Sequence, residues 1–285
     1  MSIVLRESVP EDARHAGEIC YKAFKTIAEQ HNFPPDFPSP EIAASFLSEM
    51  IAHPSIYGVV AELDGRIVGS NFVDERSVIA GIGPITVDPA VQNRAVGRAL
   101  MNHIQTRVVE RNYPGVRLVQ AAYHNRSLSL YAKMGFVARE PLSVMQGQPL
   151  ELKIPGCIVR PATEEDLNSC SKVCQKIHGH DRAGELLDSI KRGTATVVER
   201  DGHIKGYATS VAFFGHAVCE TNEELKALIG AAPAFLGPGF LLPTRNAELF
   251  RWCLEHGLRV VEPLTLMSLG LYNEPAGAFL PSILF

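Results

Sequence analysis

The chain has 285 residues, 46% of them apolar and 20% charged, which is long enough for two ordinary domains and is the balance of a soluble globular protein rather than a disordered or fibrous one. Its formal charge of −4, without a long basic run, leaves little to neutralise a phosphate backbone, so no nucleic-acid partner is expected and a small or neutral ligand is favoured. No stretch approaches the roughly 20 apolar residues that span a bilayer, and Met1-Ser2-Ile3-Val4-Leu5-Arg6 lacks a basic segment followed by an apolar one; no membrane contact and a cytoplasmic location are expected.

In chain order, Val4-Leu5-Arg6-Glu7 reads as a strand, followed by a turn and an acidic helix start at Glu11-Asp12 and then an amphipathic helix. Residues 32–40, Asn-Phe-Pro-Pro-Asp-Phe-Pro-Ser-Pro, form a proline-rich loop between two helical stretches, suited to lie over a substrate site. His31 and Asp36 are candidates there to contact an acceptor, although surface loops carry such residues anyway. Residues 59–69 alternate around Asp64-Gly65, a strong hairpin signal.

Gly83-Pro84-Ile85-Thr86-Val87 reads as a strand leading through Asp88-Pro89 into a helix with Val96, Leu100, Ile104 and Val108 on one face. The connecting loop therefore sits at a helix N-terminus, where free amides and the helix dipole favour a pyrophosphate. Small residues at 95, 97 and 99 let a ligand approach that backbone closely. A tight helix start with no ligand is the alternative. Neither Gly-x-x-x-x-Gly-Lys-Ser/Thr nor Gly-x-Gly-x-x-Gly after the strand occurs, which removes kinase and dehydrogenase readings.

The second half repeats this layout. Ile158-Val159-Arg160 with Glu164-Glu165-Asp166 echoes the first strand and helix start, and residues 196–206 echo the hairpin around Asp201-Gly202. Cys253-Leu254-Glu255-His256-Gly257-Leu258 echoes Tyr131-Ala132-Lys133-Met134-Gly135-Phe136, each a helix stopping at glycine before a strand. Three matches in one order indicate duplication, with units 1–150 and 157–285 separated where Gln146-Gly147-Gln148-Pro149 and Pro155-Gly156 interrupt the pattern. Each half reads as strand, one or two helices, hairpin, strand, helix, strand, helix, strand, a mixed α/β sheet. The tail Leu280–Phe285 is apolar enough for a docked strand.

The six cysteines lie mostly in apolar-periodic segments and read as reduced, buried thiols. Cys170, Cys174 and His178 recur at helical spacing with His180 nearby, but Leu167, Val173 and Ile177 share that helix and mark it as core; no metal is expected.

Residues 92–97, Gln-Asn-Arg-Ala-Val-Gly, resemble the acyl-CoA motif Gln/Arg-x-x-Gly-x-Gly/Ala of the GNAT acyltransferase superfamily, with Ala95 where glycine is usual. Residues 124–136 are similar to the family's second motif, Asn-x-x-Ala/Ser-x-x-Leu-Tyr-x-x-x-Gly-Phe, with His124 in the asparagine position and Asn125 beside it. The resemblance implies two tandem GNAT-like domains, each a mixed, mostly antiparallel sheet flanked by helices, the first binding acetyl-CoA as cosubstrate. It implies cofactor contacts from Ile85, Val87, Gln92, Asn93, Arg94, Ala95, Val96, Gly97, Arg98, Ala99, His124, Asn125, Ser127 and Tyr131, mostly through backbone groups. It also implies that Tyr131 is the general acid.

Acyl transfer from a thioester to an amine requires a neutral amine, a stabilised oxyanion and a proton for the departing thiolate. A tyrosine phenol, near 10 in water, suits the last task; a core tyrosine capping a helix is the competing account. Asp74, Glu75 and His124 are candidates for the base, each with a solvated surface role as the alternative, and water-mediated deprotonation is open. In the second copy no glycine-rich loop opens the corresponding helix, and Cys253 stands where Tyr131 stands in the first, which makes that copy degenerate. The expected activity is transfer of an acetyl group to a primary amine of a small-molecule or peptide acceptor, by direct attack in a ternary complex. A non-catalytic acyl-CoA-binding sensor or scaffold is the alternative, and the sequence leaves oligomeric state open, with a homodimer as one option.

Overall fold

A computed structural model describes residues 3–285. The first half runs β1 (Ile3–Glu7), α1 (Ala13–Gln30), α2 (Pro40–Ala52), β2 (Ile56–Leu63), β3 (Arg66–Asp74), β4 (Ile79–Ile82), β5 (Thr86–Val87), α3 (Val96–Glu110), β6 (Gly115–Ala121), α4 (Asn125–Lys133) and β7 (Val137–Gln146). The second runs β8 (Cys157–Pro161), α5 (Leu167–His178), α6 (Ala183–Lys191), β9 (Thr196–Arg200), β10 (His203–Ala208), β11 (Ala217–Cys219), α7 (Asn222–Ala231), β12 (Phe240–Pro243), α8 (Ala247–Glu255), β13 (Arg259–Gly270) and β14 (Ala278–Leu280).

The repeat extends to individual contacts. Arg6 holds Asp12 at 2.7 Å and Glu62 at 2.8 Å, and Arg160 holds Asp166 at 2.7 Å and Glu199 at 2.6 Å, so each copy ties its first strand to its first helix and its hairpin in the same way. Both hairpins turn on Asp-Gly pairs with positive φ, 51° and 73° at Asp64-Gly65 and 51° and 72° at Asp201-Gly202, the geometry of a type I′ turn. Helix α1 turns Ala16, Ile19 and Cys20 inward, and Gly17 leaves no room for a Cβ against the Ala44 backbone, so α1 and α2 touch along their length.

The strands divide differently from the halves. A nine-stranded sheet runs β1-β2-β3-β4-β6-β13-β7-β12, with β5 on β3, and a five-stranded sheet runs β14-β11-β10-β9-β8. Second-half strand β13 lies between first-half strands β6 and β7, and β7 lies between second-half strands β13 and β12. The first half thus lends its last strand, β7, and the second half its penultimate strand, β13. All pairings are antiparallel except β4 with β6, which holds from Ile79↔Gly115 to Gly81↔Arg117. The predicted strand Gly83–Val87 is confined to Thr86–Val87, because the chain leaves β4 at Gly83-Pro84 and rejoins the sheet only along β3, at Ser70↔Thr86 and Gly69↔Val87. The predicted tail strand lies earlier, at Ala278–Leu280 on β11, and the chain continues to a buried Phe285.

Candidate active site

The departure of β5 from β6 opens the sheet. Beyond Ile82 and Leu118 the two strands have no common partner, and a cavity of about 620 Å³ fills the gap, bounded by residues 82–87 on one side and 118–121 on the other. Helix α1, the proline-rich loop and α2 cover one flank through Phe24, Asp36, Phe37 and Phe46. The second half closes another with Phe213, Phe214, Glu262, Leu264, Ile283 and Leu284.

At one end lies the start of α3. Asn93 and Ala95 both have left-handed backbones, φ 70° and 65°, and Ala95, as the N-cap residue, has no side-chain oxygen to offer the helix. The first amide to close a helical bond is Ala99, to the Ala95 carbonyl at 3.0 Å. Val96, Gly97 and Arg98 precede it and line the cavity at the positive end of a 15-residue helix, where first-turn amides have no partner within the helix. Arg98 and Arg126 add positive charge beside them, and Arg126 donates to Asn93 Oδ1 at 3.1 Å, joining the loop to α4. These residues fit the diphosphate of coenzyme A.

The second copy closes the same position on itself. At the start of α7, Thr221 Oγ1 accepts from the Glu223 amide at 3.2 Å, and the Thr221 amide donates to Glu224 at 2.9 Å. A carboxylate already sits where an anion would have to bind. Cys253 is wholly buried in the core and burial pushes its thiol up to about 12, so it stays protonated and inert.

Of the residues singled out in the sequence, Ile85, Val87, Gln92, Asn93, Ala95, Val96, Gly97, Arg98, His124, Ser127 and Tyr131 line the cavity. Arg94, Ala99 and Asn125 do not. The Ala99 amide is committed to its helix bond, and Asn125 faces a shallow outer groove with Ser129 and Lys133. Tyr131 packs edge-on against Phe136 at 6.2 Å, its hydroxyl has no hydrogen-bond partner among the described residues, and burial raises the phenol well above its usual range. His124 is pushed down to about 4 by burial and by Arg126 and His31, so its imidazole is neutral.

Asp74 and Glu75 are excluded from the cavity, because Arg76 holds the first and Arg107, at 2.6 Å, the second. Glu262 was not singled out in the sequence. It sits on β13 two residues past the last β6 partner, Leu264↔Ala121, where a register shift between Val260 and Glu262 re-aims the strand. Its only sequence signal is a carboxylate inside a long apolar strand.

Cys170 and Cys174 belong to the second half's core, and among the described residues no group of three or more His, Cys, Asp or Glu is placed to hold a metal ion. Among the same residues no helix is long and apolar enough to cross a membrane.

Residues 24–150 match the family model for an acetyltransferase (GNAT) domain. That segment, most of the first half, carries a GNAT domain. Solved structures similar to the whole chain include a protein from Pyrococcus horikoshii described as an acetyltransferase, with 19% identity, a TM-score of 0.75 and coverage of 97% of this chain and 94% of that one. A GCN5-related N-acetyltransferase from Sphaerobacter thermophilus has 16% identity, a TM-score of 0.62 and coverage of 95% and 96%. A tandem GNAT protein from the clavulanic acid biosynthesis pathway has 14% identity, a TM-score of 0.58 and coverage of 94% and 98%. At these identities the likeness is one of fold. No curated protein matches the sequence.

Ala95 departs from the usual GNAT glycine at a backbone φ of 65°. Alanine tolerates that region at a cost of roughly 1–2 kcal/mol, whereas a β-branched residue is a genuine outlier there. Ala95→Gly is expected to keep acetyl-CoA affinity and Ala95→Val to lose at least about tenfold by distorting the loop. Equal affinities by calorimetry would remove this loop from the binding site.

Proposed function

We propose that this protein moves an acetyl group from acetyl-CoA to a primary amine by direct attack inside the cavity between its two halves. The observation that carries the proposal is that Tyr131 and the residues of the uncapped start of α3 line one cavity of about 620 Å³. The 1–150 unit supplies the acyl-CoA side, and the degenerate 157–285 unit supplies part of the acceptor wall.

The amides of residues 96–98, with Arg98 and Arg126, hold the diphosphate. The edge of β5 facing away from β3 carries no strand partner, which leaves its backbone groups to hold the pantetheine arm. Bound acetyl-CoA supplies the thioester carbonyl that the amine attacks. Tyr131 supplies the proton for the departing sulfur. The dry surroundings that keep its phenol protonated also raise the proton affinity of a thiolate released beside it, so the two remain matched. Neutral His124 and Ser127, whose hydroxyl donates to the His124 carbonyl at 2.9 Å, fix the start of α4 and so the bearing of Tyr131.

Calorimetry with acetyl-CoA followed by thiol release over a panel of amines tests this. Saturable uptake and amine-dependent release of free thiol are expected. Uptake without release on any amine would instead favour an acyl-CoA sensor, and no uptake by folded protein would remove both readings.

A further inference from the structure

Away from the α3 amides the cavity changes character. Phe24, Phe37 and Phe46 from the first half and Phe213 and Phe214 from the second form one connected aromatic wall, with ring centroids 4.5 Å apart for Phe46 and Phe214 and 5.8 Å apart for Phe37 and Phe46. The carboxylates that line the cavity are Asp36 and Glu262, while its arginines, Arg98 and Arg126, belong to the α3 end.

Glu262 is 2% exposed, and one of its oxygens accepts from the Tyr123 hydroxyl at 3.1 Å. No lysine or arginine pairs with it among the described residues. A buried carboxylate without a cation is unfavourable unless it holds a proton or meets a cation that arrives from outside. A second polar group in the same cavity is also incomplete: Gln120, 4% exposed, has its Oε1 3.2 Å from Ser127 Oγ, whose proton goes to the His124 carbonyl, and its Nε2 is buried without a partner among the described residues. A ligand oxygen is the missing partner for that amide.

We propose that the acceptor is a monocationic amine on a flat apolar body, the body lying against the phenylalanine wall and the ammonium received and deprotonated by Glu262. This inference rests on the acetyl-transfer reading above. Glu262 takes one proton from the ammonium. The neutral nitrogen then forms its bond to the acetyl carbon as the carbon–sulfur bond breaks, Tyr131 gives its proton to sulfur, and the second nitrogen proton restores Tyr131. The products are the amide and the free thiol, with one proton passed from Glu262 to solvent.

The titratable groups facing Glu262 are Tyr123, from the β6–α4 connection, and Asp36, from the α1–α2 loop; His31 lies against the Tyr123 ring at 5.3 Å. Burial and the Asp36 charge push Glu262 up to about 8, against the lowering effect of Tyr123, and burial pushes Asp36 up to about 6. In the free protein Glu262 therefore holds its proton below about pH 8 and becomes a base above it.

The test uses the full chain and measures acetyl-CoA binding first. Absence of that binding removes the acetyl-transfer reading together with this inference, whereas failure of the amine measurements alone removes only the inference. For CoA-saturated protein the probe is 2-phenylethylamine. Expected are saturable calorimetric binding, weakened at least about tenfold in Glu262→Gln with acetyl-CoA affinity unchanged, and turnover lowered at least about 100-fold. Wild-type kcat/KM should rise with pH through about 8, a limb kept by Glu262→Asp and lost in Glu262→Gln. CoA-saturated protein that ignores 2-phenylethylamine overturns the inference. So does a Glu262→Gln variant that matches wild type, or faster acetylation of glutamate or a peptide amino terminus than of this amine.

Discussion

Tyr131→Phe is expected to lower turnover by about 10²- to 10⁴-fold while leaving acetyl-CoA affinity within about twofold, the range for loss of a positioned acid. The two consequences separate because ring and hydroxyl have different surroundings. The ring is 7% exposed and packs in the core with Val96, Leu118 and Phe136, contacts that phenylalanine keeps. The hydroxyl has no partner among the described residues, so its removal leaves no buried group there unsatisfied and creates no cavity beyond one oxygen. Folding stability should accordingly stay within about 1 kcal/mol. Steady-state thiol release for both proteins, with calorimetry on acetyl-CoA, checks the result, and unchanged turnover would assign Tyr131 to packing alone.

Arg182→Met is expected to destabilise the fold by about 3–5 kcal/mol. Arg182 is 4% exposed and donates to Glu185 at 2.7 Å and 2.6 Å and to the Phe285 carbonyl. His216 approaches the same carboxylate at 3.3 Å, yet burial and Arg182 hold its imidazole down to about 4, so Arg182 alone carries the compensating charge at neutral pH. Removing Arg182 strands Glu185 in the interior, where it must recruit a proton onto His216 or itself. Arg182→Met combined with Glu185→Leu should recover most of the loss, because two matched apolar side chains replace a buried pair at little cost. Urea unfolding of the three proteins measures this, and a single-variant loss below about 1 kcal/mol would refute it.

The same cluster fixes the acid response. Glu185 is held well below the usual carboxylate range by Arg182 and His216, so its contribution is complete above about pH 4.3 and is lost on further acidification. His216 is depressed relative to about 6.5 in the unfolded chain, so stability already declines as pH falls from 6.5 towards 4.

Local order was the legible part of this molecule. The Asp-Gly hairpins, the helices stopping at Gly135 and Gly257 and the loop ahead of Val96 follow from residues adjacent in sequence, and each is found as expected. Asp36, taken from the proline-rich loop, lines the cavity, while His31 beside it packs against Tyr123 without lining the cavity. Partner choice over long separations was not legible. The helix stop at Gly257 predicts a strand after it but not the sheet it joins, so Glu262 gave no sign that it would reach a cavity built mainly by residues 82–131. Asp74 and Glu75 were misleading for the converse reason. A carboxylate near the end of a strand looks available until its arginine, two residues on or on a neighbouring helix, is placed.

The interlocking of β13 between β6 and β7 bears on how such a molecule can change over generations. Once two duplicated copies have traded strands, neither can be deleted without stripping the other of a neighbour across its whole width. In this chain the second half has Cys253 in the place of Tyr131 and a self-capped Thr221 at the start of α7, while its β13 remains part of the first half's sheet. A copy that has lost its own reaction can in this way acquire influence over which molecules its sibling accepts.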